Sequence, residues 1–247
     1  MVSSGQNLRV ASVYQPSYIP YLGYFQRLAA SDVHVVYDHV LFDRYWFMHR
    51  NKIRTAGGWI WLTVPIKSGK GSQLKITDAK IDNSRDWRSD HLGKIKKWYS
   101  RSEYFDTYYP VLEMFYEHGD WETLVDVTDQ FRDIVCTLLG IDVEICNSSE
   151  LGISKQSSQG ILETCTKVGA NEYLSGPFGP GYLDIGLFTR AGIVVKIHKF
   201  EPTPYKQAYR GFEPNMSIID ALFNVGLERT RTLVGSSHGH ISDCSPS

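Results

Sequence analysis

The sequence has little of what usually marks a function class at sight. It holds four cysteines in 247 residues: Cys136, Cys146, Cys165 and Cys244. None forms a CxxC pair, and their spacing fits no zinc template. Cys136 and Cys165 fall within apolar helical patterns, so buried free thiols are expected there rather than disulfides. A reducing cytoplasm is the expected compartment. No apolar run approaches the ~20 residues that cross a bilayer. The start, MVSSGQNLRV, has no apolar h-region of a secretory signal. Neither sign of charge is in excess: 26 Lys and Arg against 27 Asp and Glu give a formal net charge of -1. The sequence pI is near 6.7. A dominant basic surface for nucleic acid is therefore not expected. There is no Gly-x-Gly-x-x-Gly fingerprint, Walker A loop, HExxH, GxSxG elbow or kinase set. With no metal-ligand spacing, neither a metal nor another cofactor is expected.

What remains is a globular composition, 42% hydrophobic and 21% charged, with aromatics at 13%. Residues 1–7 are polar and read as a loose N-terminus. LRVASVY is β-prone, YLGYFQRLAASD is apolar at steps of three and four, and DVHVVYDHV is β-branched. That is a strand, a helix and a strand, a unit that favours a parallel pair with a right-handed crossover. WIWLTVPI and LKITDAKI read as an antiparallel hairpin across the KSGKGSQ loop. Three helices follow: from Asn83–Ser84 to about Tyr99, over Tyr104–Tyr116, and from Asp120 to Leu139 with Gly140 as its stop. DVEICN, EYLSG and IVVKIHKF then read as strands alternating with the helices QGILETCTKVG and DIGLFTRAG. SIIDALFNVG reads as a last short helix. The expected architecture is α/β: one mostly parallel Rossmann-like sheet with helices on both faces, interrupted by a β-hairpin and a helical stretch. A single domain over 8–226 is expected, with the insert at about 58–140 and a polar tail over 227–247.

In such a sheet, ligands bind beyond the carboxyl ends of the strands. The loop QPSYIPYLG leaves one such end and opens a helix, and Pro16 and Pro20 stiffen it. Tyr14, Gln15, Tyr18 and Tyr24 are candidates to present amide and phenol groups there, beside a helix N-terminus that favours anions. Asp38 and His39 close the second strand. Arg50 and Asn51, in a run dense with bases and aromatics, are candidates to hold phosphate or carboxylate. Trp87, His91, Ile95 and Trp98 share one helix face, which carries His91 inward, either as a satisfied core residue or as a base. The segment YLSGPFGPGYLD follows a strand, and its glycines let backbone approach a ligand. Ser175, Gly176 and Tyr182 are its candidates.

In order and spacing, the blocks QPSYIPYLGYFQRLAASDV, HRNKIRTAGGWIWLTVPI, IDNSRDWRSDHL, SSELGISKQ, YLSGPFGPGYLD and FEPNMSIIDALFNVG resemble the WbqC-like family from about Val10 to Gly226. Members of that family lie in gene clusters for bacterial O-antigens and other surface glycans, and in some small-molecule pathways. The resemblance implies a transferase that modifies an activated amino sugar or related amine, by aminoacyl or acyl transfer and hence amide formation. The expected substrate is phosphate-bearing, a nucleotide sugar or a carrier-bound thioester, with Arg44, Arg50 and Lys52 supplying positive charge near the loop. Members usually have His where this chain has Tyr14, a second Asp at His39 and Gln at Leu41. His39 or His91 is then the candidate base, with Asp38 beside the first. An ATP-dependent nucleotidyl- or aminoacyl-activating enzyme and a non-catalytic nucleotide-sugar-binding module are the other readings. Oligomeric state is not readable from the sequence.

Overall fold

The computed structural model describes residues 8–67, 73–235 and 241–244. The N-terminal segment 1–7, the centre of the KSGKGSQ loop and parts of the C-terminal tail lie outside the described residues. A six-stranded sheet runs in the order β5-β2-β1-β6-β7-β8. Its strands are β1 (Val10–Tyr14), β2 (Val33–Val36), β5 (Glu144–Asn147), β6 (Glu172–Ser175), β7 (Val194–His198) and β8 (Ile241–Asp243). Every pair is parallel except β7 with β8. All four residues of β2 and of β6 are buried. This is what a parallel sheet covered on both faces requires; β2, VHVV, supplies it with valines and β6, EYLS, with Tyr173 and Leu174.

Helices cover the two faces unequally. On one side lie α1 (Leu22–Ala29), α2 (Trp87–Tyr99), α3 (Phe105–His118), α4 (Leu124–Leu139) and α7 (Ile218–Gly235). They enclose a core around Phe25, Leu28, Tyr99, Phe131 and Phe223. On the other side, α5 (Ser157–Lys167) and α6 (Ile185–Arg190) pack on Ala11, Val13, Val33 and Val35. Period-two alternation along β1 sends Ser12 the opposite way, where its hydroxyl meets His34 Nδ1 at 2.9 Å. The long helix α4 is fixed at both ends. Thr123 and Asp126 form a capping box, and Gly140 ends the helix in the left-handed region at φ 69°. Cys136 and Cys165 are buried free thiols, their pKa pushed up to about 11 and about 12 by burial. Among the described residues no helix is long and apolar enough to cross a membrane.

Two expectations from the sequence are corrected. WIWLTVPI meets LKITDAKI only at their ends, in a single antiparallel bridge between Ile66 and Ile81, and the two do not form the expected hairpin. Strand β4 (Gly58–Thr63) pairs with β3 (Arg50–Thr55), antiparallel, while Ile76–Asp78 form a 3₁₀ turn. The run RNKIRT hid its alternation because its outward residues are bases whose stems cover aromatics. Arg50 lies 4.5 Å over Trp61, and Lys52 lies 5.0 Å over Trp59. The second correction concerns the tail. Past a break at Gly226, where φ is 72° and ψ is 178°, the chain stays helical to Gly235, burying Thr230, Leu233 and Val234. Those three positions keep the i, i+3, i+4 spacing within a polar composition.

Candidate functional site

The chain leaves β1 toward β2 and β5 on one side, and later returns to place β6 and β7 on the other. Strand order therefore reverses beside β1. In an open parallel sheet that switch point is where a crevice opens at the carboxyl edge. A cleft of about 550 Å³ lies there. Its walls are Tyr14, Gln15 and Tyr21 from the first loop, Arg27 from α1, and Tyr37, Val40 and Trp46 from the segment after β2. Gln156 and Ser157 at the start of α5, Gly176, Phe178, Gly179 and Tyr182 after β6, and His198 at the end of β7 complete it. A second void, about 20 Å³ between α3, α4 and α7, is a packing gap lined by apolar side chains such as Leu112 and Phe131.

The first loop is held rigidly. Ile19 has φ 37°, a left-handed conformation that costs a β-branched residue on the order of 1–3 kcal/mol. Asn51 offsets that strain: its Nδ2 donates to the carbonyls of Tyr18 at 3.2 Å and Ile19 at 3.0 Å. The amide of Ile218 donates to Pro20 O at 2.8 Å. The facing loop after β6 closes tightly because residue 179 is glycine. A Cβ there would lie 2.2 Å from Ser175 Oγ.

The electrostatics of the cleft are set by Arg27. The residue is 3% exposed, and its guanidinium lies 4.3 Å above the Tyr14 ring. Its Nε is buried without a hydrogen-bond partner. No carboxylate lines the cleft among the described residues. A buried cation is ordinarily paired, and this one faces a cavity that no carboxylate among the described residues lines. His198 stands in the same wall and donates from Nε2 to Gln26 Oε1 at 2.8 Å. Burial first, and then the Arg27 charge, lower its pKa to about 4. Burial, chiefly, also raises the Tyr37 phenol to about 12.

The structure brings Tyr14, Gln15, Gly176 and Tyr182 together in this cleft. Ser175 ends β6 at the same edge, fully buried beneath Gly179. Asp38 also lies at that edge, but its carboxylate is spent on the loop after β5. It accepts from Ser148 Oγ (2.9 Å), Ser149 N (2.9 Å), Ser149 Oγ (2.7 Å) and Asn147 Nδ2 (3.3 Å). His39 joins the same network. The Lys155 carbonyl can only accept, so His39 carries a proton on Nε2 at 3.1 Å, while Nδ1 sits 2.7 Å from Ser148 Oγ. Nδ1 and Asp38 Oδ1 compete for the single Ser148 hydroxyl proton, and both ring nitrogens lie against protein partners.

The other candidates lie elsewhere. His91 is buried in the helical core, with Nδ1 2.8 Å from Tyr18 OH, which also bonds Tyr116 OH. Burial lowers the His91 pKa to about 4. Tyr24 is buried beside His34, 3.3 Å from its Nε2. Arg50 donates to Tyr45 O at 2.8 Å and stacks on Trp61, which ties it to its own hairpin. Asn51 braces the loop from below. Sequence reasoning missed Arg27 and His198. The only sequence signal for Arg27 was its place in the last turn of the helix that follows the proline loop. For His198 it was the end of a strand, the criterion that had singled out Asp38.

The family model described as "WbqC-like protein family" matches residues 15–232. The chain is 30% identical over 222 residues to the uncharacterized protein Rv1507c of Mycobacterium tuberculosis (strain ATCC 25618 / H37Rv), covering 90% of this chain and 96% of that one. No solved structure matches. The match spans both loops of the cleft, α1 with Arg27, and β7 with His198, and on that extent the chain belongs to the WbqC-like family.

Proposed function

We propose that this protein is a transferase that joins an acyl or aminoacyl group to the amine of an activated, phosphate-bearing amino sugar or related amine. The observation that carries the reading is Arg27, a buried cation with no carboxylate partner among the described residues, in a cleft that none of their acids lines. A guanidinium so placed matches the geometry of a phosphate oxygen pair. The start of α5 supports it. Its N-cap, Gln156, makes no side-chain cap bond, no acid lies in its first turn, and Gln156 and Ser157 line the cleft. Such a helix N-terminus favours an anion. Trp46, Phe178 and Tyr182 offer flat apolar faces for a sugar or base ring, and a cleft of about 550 Å³ is of the size that buries a small molecule. The transfer chemistry rests on the family resemblance.

The test begins with a melting screen of uridine 5′-diphosphate, nucleotide amino sugars, acyl thioesters and ATP. A ligand at 100 times its Kd adds about 2.7 kcal/mol of stability. Turnover is then followed as thiol release from a thioester in the presence of the amino sugar that binds. Pyrophosphate release from ATP would replace transfer by substrate activation. Binding of nucleotide sugars with no turnover of any donor would leave a binding module.

A further inference from the structure

We infer that His198 is the base of this cleft, held inactive by Arg27 and released when an anion neutralises that cation. The inference rests on the reading of the cleft as an anion site. Its geometric ground is that one turn of α1 supplies both partners. Gln26 takes the Nε2 proton at 2.8 Å, and the next residue, Arg27, places its guanidinium in the same wall. With Nε2 donating, the ring's lone pair is on Nδ1. Among the described residues no hydrogen bond to Nδ1 is found, and the ring, 2% exposed, lines the cleft. By contrast, the ring nitrogens of His39 are both engaged, and His91 lies in the core.

The charges around the ring are few. From α1 it meets Gln26 and Arg27. The phenols of Tyr14, Tyr21 and Tyr173 line the cleft from β1, the first loop and β6. On β8 the residue opposite is Ile241. On its own strand, Lys196 pairs with Glu172 at 3.0 Å, and just past the strand Lys199, exposed, pairs with Glu201 at 3.5 Å. Arg27 is thus the charge that bears on the ring after burial itself. Phosphate on Arg27 cancels that field, so the imidazole becomes a better proton acceptor only when substrate is in place.

The step balances without an added reagent. The amine nitrogen attacks the carbonyl carbon of a thioester donor, the C–N bond forms, and the ammonium proton passes to His198 Nδ1. The tetrahedral intermediate then expels the thiolate as the C–S bond breaks, and His198 returns the proton to the sulfur.

The experiment uses the full chain with labelled histidine. The eight imidazoles are titrated by nuclear magnetic resonance, with and without uridine 5′-diphosphate, and His198→Gln assigns the signal. The expected result is a proton affinity at His198 that rises by about tenfold or more on saturation. Arg27→Lys should keep that response. Arg27→Met should raise the affinity without ligand and abolish the response to it. Ligand binding that leaves the His198 titration unmoved would overturn the inference while the anion site stands. If the diphosphate changes neither the melting temperature nor any cleft resonance, the anion site itself fails and the inference falls with it.

Discussion

Replacing Arg27 by methionine should stabilise the empty protein and disable the cleft. Two terms oppose one another in the unliganded state. The buried Nε has no partner, and an orphaned donor on a charged group costs about 1–3 kcal/mol. Against this, the guanidinium lies 4.3 Å over Tyr14, a cation–π contact that contributes about 0.5–2 kcal/mol when desolvated. Methionine keeps the length and apolar volume of the stem, so the packing change is small. The desolvation term wins by roughly 1 kcal/mol, and for a chain of this length that raises Tm by about 2–4 °C. With an anion present the sign reverses. Losing two charge-assisted hydrogen bonds at ~1.5 kcal/mol or more each costs at least ~3 kcal/mol, a weakening of about 100-fold.

Scanning calorimetry without ligand and titration calorimetry with uridine 5′-diphosphate measure the two halves separately. A core residue behaves otherwise: truncation lowers Tm and leaves affinity unchanged for the folded fraction. That pair of results for Arg27→Met would refute the reasoning. The expected pair, firmer folding with lost binding, is the pattern of a residue kept for function at the expense of stability.

Two further outcomes are expected. Asn51→Ala should destabilise the protein by about 2–4 kcal/mol in urea, because it removes both donors to the Tyr18 and Ile19 carbonyls and frees Ile19 from its left-handed conformation; an unchanged urea midpoint would show the loop to be held by other contacts. His91 should make the fold acid-sensitive. Its folded pKa is about 4 against 6.5 for an ordinary histidine, so the unfolded chain binds the proton first as pH falls. Stability should be lost between about 6.5 and about 4, on the order of 1–3 kcal/mol from this group, and comparing urea midpoints of His91→Gln and the parent at about pH 7 and pH 5 checks it: equal acid losses in both would clear His91.

The parallel sheet was legible because its strands are short, β-branched and separated by helix-length segments. Val10–Tyr14, Val33–Val36 and Val194–His198 all stand where alternation of β and α patterns placed them. The RNKIRT strand was not legible, since its outward bases lie on tryptophans that only the partner strand supplies. For the site, strand ends pointed to the right edge but not to the right side chains. Asp38 and His39 end a strand and still face inward to Ser148 and Ser149. Local pattern gives the edge; which side chains stay unspent depends on hydrogen bonds across more than a hundred residues of sequence.

That difference between spent and unspent groups is the strongest internal argument for the cleft. A folded chain tends to satisfy its polar groups and to keep non-glycine residues out of the left-handed region, and it breaks these rules where function requires. Several exceptions lie at the cleft. Ile19 and Ser157 are two of the three non-glycine residues with positive φ among the described residues, and they belong to the loop and the helix start that flank the cleft. Arg27 Nε and Tyr37 OH, both on cleft-lining residues, are buried without partners, and Ser175 Oγ is buried at the same edge. Buried orphans occur elsewhere too, at His49 Nδ1, Arg50 Nε, Arg54 Nε and Ser217 Oγ, but the helical side also satisfies a buried carboxylate fully. There the Asp220 carboxylate accepts from Tyr99, Tyr205 and Gln207 at 2.6–2.9 Å. Thr123 and Asp126 cap α4 from both directions. A chain able to satisfy a buried carboxylate threefold on one face of its sheet could also have paired Arg27. That it leaves this cation open, over an aromatic ring and beside an imidazole, is what a site awaiting its own counter-charge requires.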